Sequence, residues 1–123
     1  MMRLLLVEDN AANIALFQAI LEDDGHSVAV CTDGRAGYDR AISEAFDAVL
    51  LDIHLPGMAG DEICRALRAA GRTLPILALS ASALPDQIEI AMRAGFTAYL
   101  TKPIRPQALR AAVRSLGGGK ESA

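Results

Sequence analysis

Several residues that could do chemistry stand directly after short apolar runs of the sequence. They are Glu8, Asp9, Asp52, Ser80, Thr101 and Lys102. If the runs are neighbouring parallel strands, their carboxyl ends bring these side chains to one edge of a sheet, where such folds bind ligands. Three carboxylates at one edge cannot all stay ionised without a counter-charge. An oxygen-ligated Mg²⁺ ion and the Lys102 ammonium group would supply it.

Asp52 is the candidate nucleophile of this cluster, because it follows the central apolar run. A carboxylate beside Mg²⁺, a lysine and a hydroxyl can attack phosphorus and form an acyl phosphate. Lys102 is the only lysine in the predicted fold, since ten of the 12 basic residues are arginine and Lys120 lies near the end of the chain. Each residue alone has an ordinary alternative, such as a turn or a helix cap for Asp52. The combination predicts a site.

The apolar runs alternate with five longer amphipathic stretches. The runs are Leu4–Val7, Ser27–Cys31, Ala48–Leu51, Pro75–Leu79 and Thr97–Leu100. Gly25, Gly71 and Gly95 each end a helical pattern where a left-handed cap is favoured. Continuous apolar strands, each followed by a helix, predict an α/β fold with a doubly wound parallel sheet covered on both faces.

The apolar positions of the amphipathic stretches indicate which helix faces pack on that sheet. Ile14, Phe17 and Leu21 share one face of the first helix, and Ile88 and Met92 share one face of the fourth. The residues that follow the second strand, Thr32 to Gly34, do not suggest a functional site, which is typical of a strand at the edge of the sheet. Residues 1–116 are predicted to form one domain, and residues 117–123 a flexible C-terminal tail.

Composition excludes several classes of protein. The chain has 123 residues, 52% of them hydrophobic, and a net charge of −3, which argues against direct binding of nucleic acid. No apolar run approaches the roughly 20 residues that span a bilayer, so a cytoplasmic protein without membrane contact is expected. Cys31 and Cys64 are predicted to be buried free thiols, and His26 and His54 to be loop residues whose side chains bind no metal.

The quoted motifs resemble the receiver domain of two-component response regulators, the chemotaxis-regulator fold. They are LLLVEDN, VLLDIHLPGMAG, LALSA and AYLTKPI, in the expected order from Arg3 to about Leu116. The resemblance implies a flavodoxin-like fold of five strands in the order 2-1-3-4-5 with five helices. It also implies that Asp52 is a phosphoacceptor that works with Mg²⁺. Such a domain is not an enzyme for other substrates and catalyses only its own phosphorylation and dephosphorylation.

The same resemblance implies a magnesium site. Glu8 and Asp9 would be the acidic pair that holds Mg²⁺, with Asp9 as the direct ligand. Asp52 and the backbone carbonyl of His54 would complete the protein ligands. Because these assignments rest on the family, they are expectations for this chain.

Further residues would form the switch. Ser80 would bind the phosphoryl group and Lys102 would pair with it, with a cis peptide bond to Pro103 shaping the loop. Tyr99 would turn inward on activation, filling space that Ser80 and its loop vacate. The family therefore implies a shift between two pre-existing conformations.

The resemblance also implies partners. The phosphoryl donor would be a histidine kinase or a histidine phosphotransfer protein, and a downstream protein would dock on the face of the fourth helix, fifth strand and fifth helix. A stand-alone regulator is predicted, and the alternative is a receiver domain cut from a hybrid histidine kinase or a longer regulator. Two rival classes are a flavin binder and a phosphatase of the haloacid dehalogenase type. The acidic EDN segment after the first strand argues against the flavin, and His54 in place of a second aspartate argues against the phosphatase.

Overall fold

The protein is an α/β fold built from five strands that alternate with five helices. A computed structural model describes the backbone of residues 1–121 and the side chains of residues 1–116, and the predicted flexible tail at 117–123 lies outside the residues described in full. The strands are β1 (Arg3–Val7), β2 (Ser27–Cys31), β3 (Ala48–Asp52), β4 (Ile76–Ser80) and β5 (Ala98–Thr101). The helices are α1 (Ala11–Asp23), α2 (Gly34–Ser43), α3 (Gly60–Ala69), α4 (Pro85–Ala94) and α5 (Pro106–Glu121).

All the strands pair in parallel, in the order β2-β1-β3-β4-β5, which confirms the predicted fold class and strand order. β3 and β4 are buried at every residue, as expected for inner strands covered by helices on both faces. β2 lies at one edge of the sheet, as predicted from the lack of candidate site residues after it. β5 lies at the other edge and is only half-buried.

The sheet separates two hydrophobic clusters, because successive side chains of a strand point to opposite faces. One cluster, here called the α2–α4 cluster, joins Leu5, Leu51 and Ala78 of the strands to α2, α3 and α4. The other, the α1/α5 cluster, joins Leu50 and Leu77 to α1 and α5. Every strand residue named here is fully buried.

The helix ends follow the sequence signals. Gly25, Gly71 and Gly95 have φ angles of 90°, 83° and 114°, in the left-handed region that favours glycine. Each therefore ends or follows a helix as predicted. Pro85 and Pro106 are the first residues of α4 and α5, where a missing N–H removes no helical hydrogen bond.

The apolar face predicted for α4 is only partly right. Ile88 is half-buried, but Met92 is 44% exposed, and the residues of α4 that are buried are Ala91 and Ala94. Two alanines let the helix axis lie close to the sheet, so the larger Met92 is turned outward. The pattern of large apolar residues therefore predicts a buried face that is rotated about the helix axis from the observed one.

Other sequence expectations concern the cysteines and membrane contact. Cys31 and Cys64 are buried free thiols, which confirms that prediction. Burial raises the pKa of both thiols, that of Cys64 to about 11, so both are protonated at neutral pH.

Within residues 1–121, none of the helices combines the length and the apolar character needed to cross a bilayer.

Candidate functional site

The candidate site lies at the carboxyl edge of the sheet, at the ends of β1, β3 and β5. Glu8 and Asp9 directly follow β1, Asp52 is the last residue of β3, and Lys102 directly follows β5. The pairing of β3 with β4 extends one residue further than the apolar run predicts, since Asp52 pairs with Leu79 of β4. The sheet thus fixes the backbone of Asp52, and the N–H of Glu8 is held by the carbonyl of Cys31 in β2 at 3.1 Å.

Three carboxylates meet at this edge. Glu8, Asp9 and Asp52 each offer an oxygen, and these oxygens all lie within 4.8 Å of one another. The side chains of Glu8 and Asp52 are only 1% and 7% exposed, whereas Asp9 is exposed. The structure therefore brings together the acids that the sequence singled out, with one of them facing solvent.

Lys102 bridges the two buried acids. Its Nζ lies 2.7 Å from Glu8 Oε1 and 3.0 Å from Asp52 Oδ2. Burial disfavours the ammonium charge, but the hydrogen bonds to Glu8 and Asp52 outweigh it, so the pKa of Lys102 is raised. Lys102 is therefore a fixed positive charge beside Asp52 throughout the physiological range.

Glu8 shows that one ammonium group does not neutralise the cluster. Burial raises the pKa of Glu8, the hydrogen bond from Lys102 lowers it in part, and the charge of Asp52 raises it further. The pKa values of Glu8 and Lys102 are thus both raised, which means that both groups hold their protons more firmly than in water. A site with that preference favours an additional cation.

Main-chain donors complete the environment of the buried acids. The N–H of His54 donates to Asp52 Oδ1 at 2.9 Å, and the N–H of Asn10 donates to Glu8 Oε2 at 3.1 Å. Every oxygen of Glu8 and Asp52 therefore has a donor, as buried carboxylates require. His54 itself is exposed, and the assignment of its carbonyl as a metal ligand stays a prediction.

The donor set fits Mg²⁺. This ion prefers carboxylate oxygens and keeps several waters, so a cluster with one exposed acid, Asp9, and two buried acids suits it. Burial is the main cause of the raised pKa of Glu8, and the charge of Asp52 adds to it, so a dication held between these carboxylates would offset that repulsion. Glu8, Asp9 and Asp52 are the residues that would hold it.

Ser80 and Tyr99, the predicted switch residues, meet at a third residue. Ser80 is 1% exposed at the end of β4, and its Oγ accepts a hydrogen bond from the N–H of Ser82 at 3.1 Å. The Tyr99 hydroxyl donates to the carbonyl of Ser82 at 2.7 Å, and its ring packs against the α2–α4 cluster. Both switch residues are therefore held by the backbone of Ser82.

Loops on either side of the site have special backbone geometry. The peptide between Lys102 and Pro103 is cis, as the resemblance implies. At the start of α3, a Cβ atom on Gly60 would lie 2.3 Å from the carbonyl oxygen of Asp52, so this position accepts only glycine without displacement. The role of Gly60 was not predicted, although a glycine eight residues after the candidate nucleophile was visible in the sequence.

A family model described as "Response regulator receiver domain" matches residues 4–114. A sensor histidine kinase, AruS of Pseudomonas aeruginosa, is 40% identical over 120 residues, which is 94% of this chain but 12% of that kinase. The response regulator MprA of Mycolicibacterium vanbaalenii is 38% identical over 114 residues, 93% of this chain and 49% of that protein. The chain thus spans only part of these curated relatives.

A solved structure shares the fold of this chain. The receiver domain of sensor histidine kinase PA1611 from Pseudomonas aeruginosa superimposes with a TM-score of 0.86 at 36% identity, covering 94% of this chain and 98% of that one. That crystal structure holds a magnesium ion coordinated in its active site cleft.

Proposed function

Because this chain belongs to the response regulator receiver domain family, we propose that Asp52 accepts a phosphoryl group from a phosphohistidine of a histidine kinase or histidine phosphotransfer protein. The observation that carries the proposal is the Lys102 ammonium group bound to Asp52 Oδ2 inside a cluster of three carboxylates. An acid placed among other acids is costly unless positive charge compensates them, and such costly clusters are typical of functional sites.

The chain's own residues account for the transfer. An oxygen of Asp52 attacks the phosphorus, the P–N bond of phosphohistidine breaks, and the released imidazole nitrogen takes up a proton. Lys102, already 3.0 Å from Asp52, offsets charge on the transferred group without moving far. When bound by Glu8 and Asp9, Mg²⁺ would supply further positive charge to the phosphoryl oxygens.

The phosphorylated state would act as a switch rather than as an enzyme for other substrates. A phosphoryl group adds nearly two negative charges and strong acceptor oxygens beside β4. Ser80, at the end of β4, would turn its hydroxyl to this group, and Tyr99 would respond through the loop that both residues contact. Hydrolysis of the acyl phosphate at the same site would return the chain to its first state.

The partners follow from this cycle. The donor would be a phosphohistidine protein, and the acceptor of the signal would be a protein that binds the face of α4, β5 and α5. The chain could work alone or within a longer protein, and the sensor kinases and the response regulator among its curated relatives are all longer than this chain. Of these two settings we propose the stand-alone regulator. A flavin binder or a haloacid dehalogenase phosphatase finds no support in the family match.

The proposal is tested by phosphorylation with acetyl phosphate and Mg²⁺, followed by intact-mass measurement. The wild-type chain should gain one phosphoryl group, and the gain should disappear with a chelator or in Asp52→Asn. Asp39→Asn is the matched control, because this acid is 60% exposed on α2 and pairs with Arg35. Equal phosphorylation of wild type and Asp52→Asn would overturn the assignment.

A further inference from the structure

Ser82, in the loop between β4 and α4, makes three hydrogen bonds to three different parts of the molecule. Its N–H donates to Ser80 Oγ at 3.1 Å, and its carbonyl accepts from the Tyr99 hydroxyl at 2.7 Å. Its own hydroxyl oxygen accepts from the N–H of Leu84 at 3.3 Å. Ser82 is thus the shared partner of both switch residues and of the start of α4.

The first two hydrogen bonds use only the backbone of Ser82. If Ser80 rotates towards a group on Asp52, it must either break its bond to the Ser82 N–H or pull that peptide with it. The Tyr99 hydroxyl is bound to the other end of the same residue, so its position also depends on the Ser82 backbone. This contact gives a direct physical connection between the two residues, which lie 19 positions apart in the sequence.

The third hydrogen bond uses the Ser82 side chain and leads to α4. The N-cap of α4 is Leu84, an apolar residue that offers no side-chain acceptor to the first N–H groups of the helix. The Ser82 hydroxyl reaches the N–H of Leu84 instead. The Leu84 side chain is 64% exposed, so a shift of this residue changes the apolar surface at the beginning of α4.

We propose that Ser82 is a positioning residue whose hydroxyl makes the N-terminus of α4 follow the state of Ser80 and Tyr99. Its backbone joins the two switch residues, and its side chain carries their movement to Leu84. The inference rests on the proposed function, since it needs a phosphoryl group or its mimic on Asp52 to start the movement. The ordinary alternative is a local serine turn that has no part in the switch.

The test compares wild type, Ser82→Ala and Ser82→Thr by amide NMR with beryllofluoride and Mg²⁺, which together stand in for the phosphoryl group. In wild type the amides of Ser80, Tyr99, Asp86 and Gln87 should all shift. In Ser82→Ala the Ser80 and Tyr99 shifts should remain, because their bonds to Ser82 use its backbone, and the shifts of Asp86 and Gln87 should be lost. Ser82→Thr keeps a hydroxyl and should restore them.

Each other outcome has a defined meaning. Retained shifts at Asp86 and Gln87 in Ser82→Ala, or their absence from wild type that responds at Ser80, would overturn the role of Ser82. Loss of the Ser80 response in Ser82→Ala would also overturn it, because the hydroxyl would then be needed before the step assigned to it. An unresponsive Ser80 in wild type would instead contradict the proposed function. Melting temperatures of the three proteins identify any general loss of structure.

Discussion

At the scale of single residues, the site shows why Lys102 and the two buried acids are kept together. Buried ion pairs are weak sources of stability, because removing charges from water costs about as much as their attraction returns. Here each oxygen of Glu8 and Asp52 has a donor, yet the pKa of Glu8 is still raised by burial. Stability alone therefore does not explain why these three charged groups are kept together in a buried position.

His26, which lies outside the candidate site, is a residue whose ionisation is coupled to folding. Its side chain is 7% exposed, and its Nδ1 accepts a hydrogen bond from the N–H of Met2 at 3.0 Å. Nε2 has no hydrogen-bond partner within the described residues and lies 3.9 Å from Asp24. Asp24 is itself bound by Arg114. A second proton on the ring would occupy Nδ1 and abolish the bond from Met2.

We predict that acid destabilises the protein through His26. Burial lowers the pKa of His26 below its ordinary value of 6.5, although Asp24 opposes this. The unfolded chain therefore binds a proton near pH 6.5 while the folded chain does not, so stability is present above that pH and is lost as the pH falls below it. The loss is at most about 1.4 kcal/mol per pH unit for one proton.

Urea unfolding between about pH 5 and pH 8 measures this effect. His26→Gln keeps an acceptor for the Met2 N–H and should show a shallower loss of stability in acid. His54→Gln is the matched control, because His54 is exposed, and it should follow wild type. An identical pH profile for wild type and His26→Gln would show that His26 does not titrate differently on folding.

At the scale of elements, the close approach of α3 to β3 positions Asp52. The first residue of the helix, Gly60, lies so near the end of the strand that a Cβ atom would be 2.7 Å from Ile53 Cα as well as 2.3 Å from the Asp52 carbonyl oxygen. The N–H of Gly60 also donates to the carbonyl of Ile53 at 2.9 Å. The N-terminus of α3 therefore holds the backbone that carries the candidate phosphoacceptor.

We predict that Gly60→Ala impairs both folding and phosphorylation. The added methyl group must displace α3 or Asp52, and overpacking of this kind costs about 1–3 kcal/mol. Phosphorylation by acetyl phosphate should slow, because Asp52 would leave its position beside Lys102. Ala66→Gly in the same helix is the control, since it costs about 1 kcal/mol through helix propensity without touching Asp52. Normal phosphorylation of Gly60→Ala would show that α3 does not position the site.

Elements were predicted from the sequence better than their edges and faces. The five apolar runs located all the strands, because each run is long enough to fill one strand of a covered parallel sheet. Asp52 and Ser80 were expected just beyond their strands, and they belong to them, since pairing continues to Leu79 and Thr101. The Ser82 hydrogen bonds could not be predicted, because they depend on loop geometry that two nearby serines do not specify.

At the scale of the whole molecule, the sheet divides the core into two parts that can be tested separately. Leu50 and Leu51 are adjacent, both are fully buried, and they lie on opposite faces of β3. Leu50 belongs to the α1/α5 cluster, and Leu51 belongs to the α2–α4 cluster, against which Tyr99 packs. The pair therefore offers matched substitutions in one strand.

We predict that Leu50→Ala and Leu51→Ala destabilise the protein by similar amounts, about 2–5 kcal/mol each, because each leaves a cavity in a fully buried position. In the folded proteins, only Leu51→Ala should shift the amide signals of Tyr99 and α4. Urea unfolding gives the first quantity and amide NMR the second. Equal shifts at Tyr99 in both variants would mean that the sheet transmits packing changes between its faces.

The division of the core by the sheet has a consequence for how such a chain can diverge. A substitution that changes the free energy of both signalling conformations equally leaves their ratio unchanged. On the α1/α5 side of the sheet, α1 meets this condition best, because Tyr99 and α4 pack on the opposite face and the proposed docking face includes α5 but not α1. Selection can thus adjust thermal tolerance through the packing of α1, while the residues around Tyr99, α4 and α5 conserve responsiveness.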